Sequence, residues 1–341
     1  MTLDLNAIWF VLVGVLLTGY AVLDGFDLGT GALLLTTRDD RDRRTLLNAI
    51  GPIWDGNEVW LVTGGGALFA AFPNVYATVF SGFYDAFMLL LACLIFRAVS
   101  IEFRSQRPGT AWRTTWDVAF ATSSVVAALL IGVALGNVVW GIPLTAQHDY
   151  LGGLEGLLRP YPLFVGVCAV VLFAMHANLY LVLKTEGALQ AHLLRVAGLT
   201  VPAWLACFVL LNVVTVLGCP HIEAALRQRP LPLGLLFLAS VVVTGGVLRA
   251  VRRGHEGRAF VGSCLTIVLL MLLFGVATWP NLVVSVPEPA NSLNVWNGAS
   301  TERSLHFMFL VALFGVPVVL AYTAAIYWVF RGKVRLTDES Y

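Results

Sequence analysis

Near the start of the chain two acids stand three positions apart, and the pattern then repeats. Asp24 and Asp27 lie in Gly19-Tyr20-Ala21-Val22-Leu23-Asp24-Gly25-Phe26-Asp27-Leu28-Gly29; Asp55 and Glu58 lie in Gly51-Pro52-Ile53-Trp54-Asp55-Gly56-Asn57-Glu58-Val59-Trp60. On a helix, positions i and i+3 share a face. Both pairs sit in or at the mouth of apolar runs. Ionisable groups in such runs face the protein interior or a water-filled path, and burial lets carboxyls exchange protons near neutral pH. The chemistry that follows is proton transfer, with Asp85 as a fifth candidate near mid-span. A plainer reading is that each acid pairs with Asn57, Arg97 or a helix end. Four acids in two adjacent spans favour function.

The elements that position them are membrane helices. Of 341 residues, 58% are hydrophobic and 12% charged, against roughly 25% charged in a soluble domain. Apolar runs of about 20 residues, each able to cross a hydrocarbon core, recur throughout. The sequence therefore predicts an all-α polytopic membrane protein, one membrane domain over 1–341, with nine spans near 7–36, 49–72, 75–102, 115–139, 161–184, 196–217, 231–250, 259–279 and 304–330. No internal repeat or linker stands out. The N-terminus lacks the basic region of a cleavable signal, so the first span is expected to be retained.

Charge distribution orients the spans. A net charge of +1 implies no nucleic-acid partner. All of the 21 basic residues except Arg159, Arg227, Arg229 and Arg303 fall on one side of the nine-span arrangement. Basic loops favour the cytoplasm, which predicts an outside N-terminus and a cytoplasmic C-terminus. Asp24 and Asp27 would then lie roughly 13–18 Å from the cytoplasmic end of span one, with Asp55 and Glu58 roughly 9 and 14 Å into span two. Acids at graded depth suit proton uptake from the cytoplasm.

Other constellations are weaker. The five cysteines form no Cys-x-x-Cys pair, and four sit in apolar runs, so neither a disulfide framework nor a metal cluster is expected. Of six histidines only His176 lies well inside a span. A hydrogen-bonded structural role suits it better than haem ligation. Gly25, Gly29 and Gly31, Gly64-Gly65-Gly66, and Gly132 with Gly136 are expected to allow close helix packing.

Several stretches carry a resemblance to a known family. The two acidic motifs, Gly65-Gly66-Ala67-Leu68-Phe69-Ala70-Ala71-Phe72-Pro73, Phe80-Ser81-Gly82-Phe83-Tyr84, Phe96-Arg97-Ala98-Val99-Ser100 and Ile131-Gly132-Val133-Ala134-Leu135-Gly136-Asn137 resemble subunit II of the cytochrome bd quinol oxidases. The likeness is dense over about residues 14–140 and returns near Asn291–Asn297 and in the last span. It implies two four-helix bundles plus one further helix, in a bacterial plasma membrane. It implies a heterodimer with subunit I, sometimes with a small single-span subunit, amid membrane lipid. The complex would oxidise quinol and reduce O2 to water. Two haems b and a haem d would sit in subunit I, with none ligated by this chain, and a structural quinone is held by some members. A proton route would pass through Asp24, Asp27 and Asp55, with Trp54, Gly56, Asn57 and Arg97 as supporting motif residues. Glu58 stands where members carry an amide, and Asp85 where an apolar residue is expected. Each could extend the route or form an ion pair.

Two rival readings remain from the residues alone. A proton-coupled secondary transporter would show an inverted repeat and a mid-membrane substrate site, yet the acids cluster in the first third. A purely structural subunit would tolerate an amide at every acid.

Overall fold

Each apolar run folds as a helix, because only a helix satisfies its own backbone polar groups within lipid. The computed structural model describes residues 4–336. In chain order the helices are α1 (Leu5–Leu23), α2 (Gly25–Leu34), α3 (Asp40–Ile50), α4 (Trp54–Ala71), α5 (Pro73–Gly82), α6 (Tyr84–Arg104), α7 (Thr110–Trp140), α8 (Leu154–Leu157), α9 (Pro160–Lys184), α10 (Gly187–Gly218), α11 (Pro220–Gln228), α12 (Pro230–Arg252), α13 (Glu256–Thr278) and α14 (Glu302–Val329). Among the described residues, eight stretches are long and apolar enough to cross a membrane; α1 and α2 form one of them, Leu5–Leu34.

The expected second span is the exception. Pro52 lacks a donor and separates α3 from α4, and α4 begins with Asp55, Asn57 and Glu58, which lower its hydropathy. Its 18 residues still reach about 27 Å. The expected third span, 75–102, is kinked. Pro73 ends α4 and opens α5, and a second irregularity at Phe83 separates α5 from α6.

The centre of the molecule is α9, which packs on α2, α7, α10 and α13. Its neighbours approach closely. A Cβ on Gly29 of α2 would run into the Phe173 carbonyl and the Ala177 side chain of α9, and one on Gly132 of α7 would meet Gly166 of α9. Gly65 and Gly66 depart from the expected packing role, since nothing lies within 4 Å of a Cβ built there. They line an apolar cavity of about 1490 Å³ between α1, α4, α5, α6 and α13. At the periphery, α14 buries only Leu305.

The two ends of the bundle differ. At one end the connections interlock: β1 (Asn281–Val283) pairs antiparallel with β2 (Leu293–Asn294), Asn291 Nδ2 donates to Leu144 O at 2.9 Å, and Thr78 Oγ1 to His148 O at 2.9 Å. Charges gather at the other end. Asp117 accepts from Arg104 Nε at 2.5 Å and from Arg43 Nη1 at 3.0 Å; Asp40 accepts from Arg104 Nη2 at 2.7 Å and Arg113 Nη1 at 2.9 Å. A segment after α14 straps the same end, with Lys333 Nζ on Glu256 Oε2 at 2.6 Å and Val334 N on Lys184 O at 2.8 Å.

Candidate functional site

The site is built on an irregularity between α1 and α2 at Asp24. Regular bonding reaches Asp24 N, which donates to Tyr20 O, and resumes with Leu28 N on Asp24 O. The two carbonyls just before the break are taken by side chains: His176 Nε2 lies 2.8 Å from Val22 O, and Asn57 Nδ2 donates to Leu23 O at 3.1 Å. Interrupted backbone within a membrane helix is tolerated only where neighbours satisfy the freed groups. The interruption turns Asp24 and Asp27 into the protein, where both are fully buried.

Asp24 meets a fork. Arg97 of α6 donates Nη1 to Oδ2 at 2.9 Å and Nη2 to Oδ1 at 2.5 Å. This bidentate geometry is the strong form of the pair. The same Nη2 reaches Glu58 Oε2 at 3.2 Å. Arg97 is thus shared by α1–α2 and α4, and Glu58 forms an ion pair with it.

Asp27 is held differently. Its Oδ2 accepts from Asn57 Nδ2 at 2.8 Å, and Asn57 Oδ1 accepts from Tyr327 of α14 at 2.9 Å. Among the described residues, Asp27 Oδ1 is buried with no hydrogen-bond partner. Such an atom is one a proton or an ordered water would occupy. Three carboxyls therefore surround one guanidinium, and the balance leaves capacity for protons.

Not every expected residue joins this cluster. Asp55 is exposed on the outside of α4, three positions from Glu58, so the four acids do not form one packed group. Trp54 is buried beside the start of α4, whereas Gly56 has open space around it. Asp85 does not lie at mid-span. The kink at Phe83 starts α6 at Tyr84, so Asp85 is exposed at the end opposite Arg104, and Gly82 before it packs on Tyr150 of the interlocked connections.

Haem ligation by His176 fails a direct test. An iron ligand needs a free imidazole nitrogen, but His176 uses both: Nδ1 is 2.8 Å from Ser263 Oγ and Nε2 is on Val22 O. Its ring stacks on Phe260 at 5.3 Å. Among the described residues no group of three or more His, Cys, Asp or Glu could hold a metal ion.

The charged cluster at the basic end was missed in part. Arg43 and Arg113 read from sequence only as markers of sidedness, and Arg104 also as a structural partner for Glu102. The available signal was Asp117, an acid early in the apolar run of α7, 13 residues after Arg104. Asp40 starts α3 outside the apolar spans. Partial burial would lift its carboxyl, but the Arg104 hydrogen bond and charge, with Arg113 and Arg44, outweigh that and hold it below 3.8.

Comparison with known proteins decides the family. Residues 5–330 match the family described as cytochrome bd terminal oxidase subunit II. The chain belongs to that family. It is 37% identical to the cytochrome bd-I ubiquinol oxidase subunit 2 of Escherichia coli K12, covering 98% of this chain and 96% of that protein. It is 32% identical to the cytochrome bd ubiquinol oxidase subunit 2 of Bacillus subtilis 168, covering 97% of each. A solved bd oxidase structure from Geobacillus thermodenitrificans matches in fold, with a TM-score of 0.79 at 16% identity over 97% of this chain and 99% of that one. A subunit II match over the whole chain removes the transporter reading. The family's second subunit is a multi-pass membrane protein that works within an oxidase complex, and the apolar helices here accord with that.

Proposed function

We propose that this chain is the haem-free second subunit of a quinol:O2 oxidoreductase in a bacterial plasma membrane, and that it carries protons inward from the cytoplasmic face. Its relatives are named for ubiquinol oxidation. The two haems b and haem d belong to subunit I in this reading, and electrons pass only there. The fold would be a single membrane domain of nine spans, with α4 as the second, arranged as two four-helix bundles and one further helix. The N-terminus would be outside and the C-terminus cytoplasmic. The basic end carrying Arg43, Arg104 and Lys333 supports that orientation.

The observation that carries the proton route is Asp27 Oδ1, buried and unpartnered beside a carboxylate already neutralised by Arg97. Asp55 would collect protons at the mouth, Glu58 would relay them past Arg97, and Asp24 and Asp27 would hold them inside. Asp85, far from this cluster, would have no part in the transfer. Subunit I would cover the exposed stripe of α4 that bears Asp55, Val59, Val62 and Phe69, since an ionisable group on an apolar face is costly against lipid. The outward face of α14 would share that interface or meet a small single-span subunit. The 1490 Å³ apolar cavity is suited to the isoprenoid tail of a structural quinone.

The test uses the complete complex purified through a tag on this chain. Asp27→Asn is expected to retain the haem bands of the reduced-minus-oxidised spectrum while quinol-driven oxygen uptake falls by roughly a hundredfold, the scale of a lost proton-transfer group. Wild-type uptake would leave the chain a structural subunit. Haem bands from the chain expressed alone would overturn the division of labour.

A further inference from the structure

We propose that Tyr327, a residue of the outermost helix, is a positioning residue for proton transfer at Asp27. The inference rests on the proton route described above. Its basis is the row Tyr327 Oη → Asn57 Oδ1 (2.9 Å) and Asn57 Nδ2 → Asp27 Oδ2 (2.8 Å), with Nδ2 also on Leu23 O (3.1 Å). An asparagine amide has two orientations that exchange its oxygen and nitrogen. While Asp27 is a carboxylate only one orientation works, because Asp27 and Leu23 O both accept. Once Asp27 takes a proton it can donate as well as accept, and its hold on the amide weakens. The Tyr327 hydroxyl, together with Leu23 O, then keeps Oδ1 turned away from Asp27 and Nδ2 turned toward it. The amide stays set to receive the carboxylate when the proton leaves, and no reorganisation is needed at each turnover.

The surroundings of Tyr327 fit that task. Helix α14 contributes little to the core; its one buried residue is Leu305, at the opposite end. Near Tyr327, however, the chain is pinned. Lys184 Nζ donates to Phe330 O at 2.5 Å, Val334 N donates to Lys184 O at 2.8 Å, and Lys333 is paired with Glu256 at 2.6 Å. These bonds tie the end of α14 to the end of α9 and the start of α13. They hold the hydroxyl against Asn57 although the rest of the helix is peripheral.

A double-mutant cycle in the intact oxidase complex tests the inference, with quinol turnover read per haem so that differences in yield cancel. Tyr327→Phe removes one oxygen and keeps the ring. It is expected to lower kcat roughly fivefold, the rate equivalent of one neutral hydrogen bond, with the quinol KM unchanged. In an Asp27→Asn background the same change is expected to alter kcat less than about twofold, because an amide at 27 has no carboxylate for Asn57 to serve. Wild-type kcat in Tyr327→Phe, or an equal loss in both backgrounds, would overturn the assignment and leave Tyr327 a packing residue. Wild-type turnover in Asp27→Asn alone would instead sink the proton route, whatever Tyr327 does.

Discussion

Arg97 holds Asp24 in a two-pronged ion pair, 2.9 and 2.5 Å long, with both side chains out of reach of solvent. The pair joins α6 to the break between α1 and α2. Removing one partner of a buried pair strands the other charge, at a cost of about 3–5 kcal/mol. Arg97→Gln should therefore prevent recovery of a haem-loaded complex. The double variant Arg97→Gln with Asp24→Asn should regain part of the yield, because Asp24 is no longer stranded, while the loss at the partly exposed Glu58 remains. Copurification of subunit I through a tag on this chain measures both. Equal loss in the single and double variants would mean that the pair's charge is not what holds α6.

Asp55 should separate folding from turnover. It is exposed on α4, so Asp55→Asn should change the stability of this chain's own fold by less than about 0.5 kcal/mol. Oxygen uptake per haem should still fall, though by less than in Asp27→Asn, since water can bypass a residue at the mouth. Unchanged uptake would remove Asp55 from the route and leave Glu58 as its entrance.

Gly29 and Gly65 offer a paired packing test. Gly29→Ala drives a methyl into the Phe173 carbonyl and Ala177 of α9, and overpacking of this kind costs about 1–3 kcal/mol. Gly65→Ala meets nothing within 4 Å and should be neutral to within about 0.5 kcal/mol. The apparent melting temperature of the purified complex should fall for the first variant alone.

The ion cluster at the basic end should give an acid-dependent contribution. Asp40 is held below its ordinary 3.8 chiefly by Arg104. A carboxyl lowered in the folded state stabilises above its unfolded pKa, and that stabilisation fades as pH falls through the folded value. Asp40→Asn should thus lower the melting temperature at pH 7, and the gap to wild type should close as pH drops below about 4. A gap independent of pH would assign the effect to hydrogen-bond geometry rather than charge.

The sequence exposed the acids more readily than their partners. Asp24, Asp27 and Glu58 announce themselves because a carboxylate in an apolar run is rare, and eight of the expected spans followed from length and hydropathy. The direction in which each acid points was hidden. Helix α4 is apolar on every side beyond its first turns, so periodicity could not show that Asp55 faces outward while Asn57 faces in. The link from Arg97 to Asp24 spans 73 positions and that from Tyr327 to Asn57 spans 270; such contacts leave no local pattern. The kink at Phe83 was likewise unmarked, as no proline or glycine-rich run signals it, and Asp85 was displaced as a result. His176 was read correctly as a hydrogen-bonded residue, but its task of closing a freed carbonyl depends on the break at Asp24.

The row from Asp27 through Asn57 to Tyr327 brings together residues from the first and last membrane segments. During synthesis the two acid-bearing segments enter the membrane early, while Tyr327 waits until the final span has been threaded. The row is therefore completed only when the last span is in place. A truncated or half-inserted chain carries the acids without the hydrogen-bonded row that orders Asn57 against Asp27.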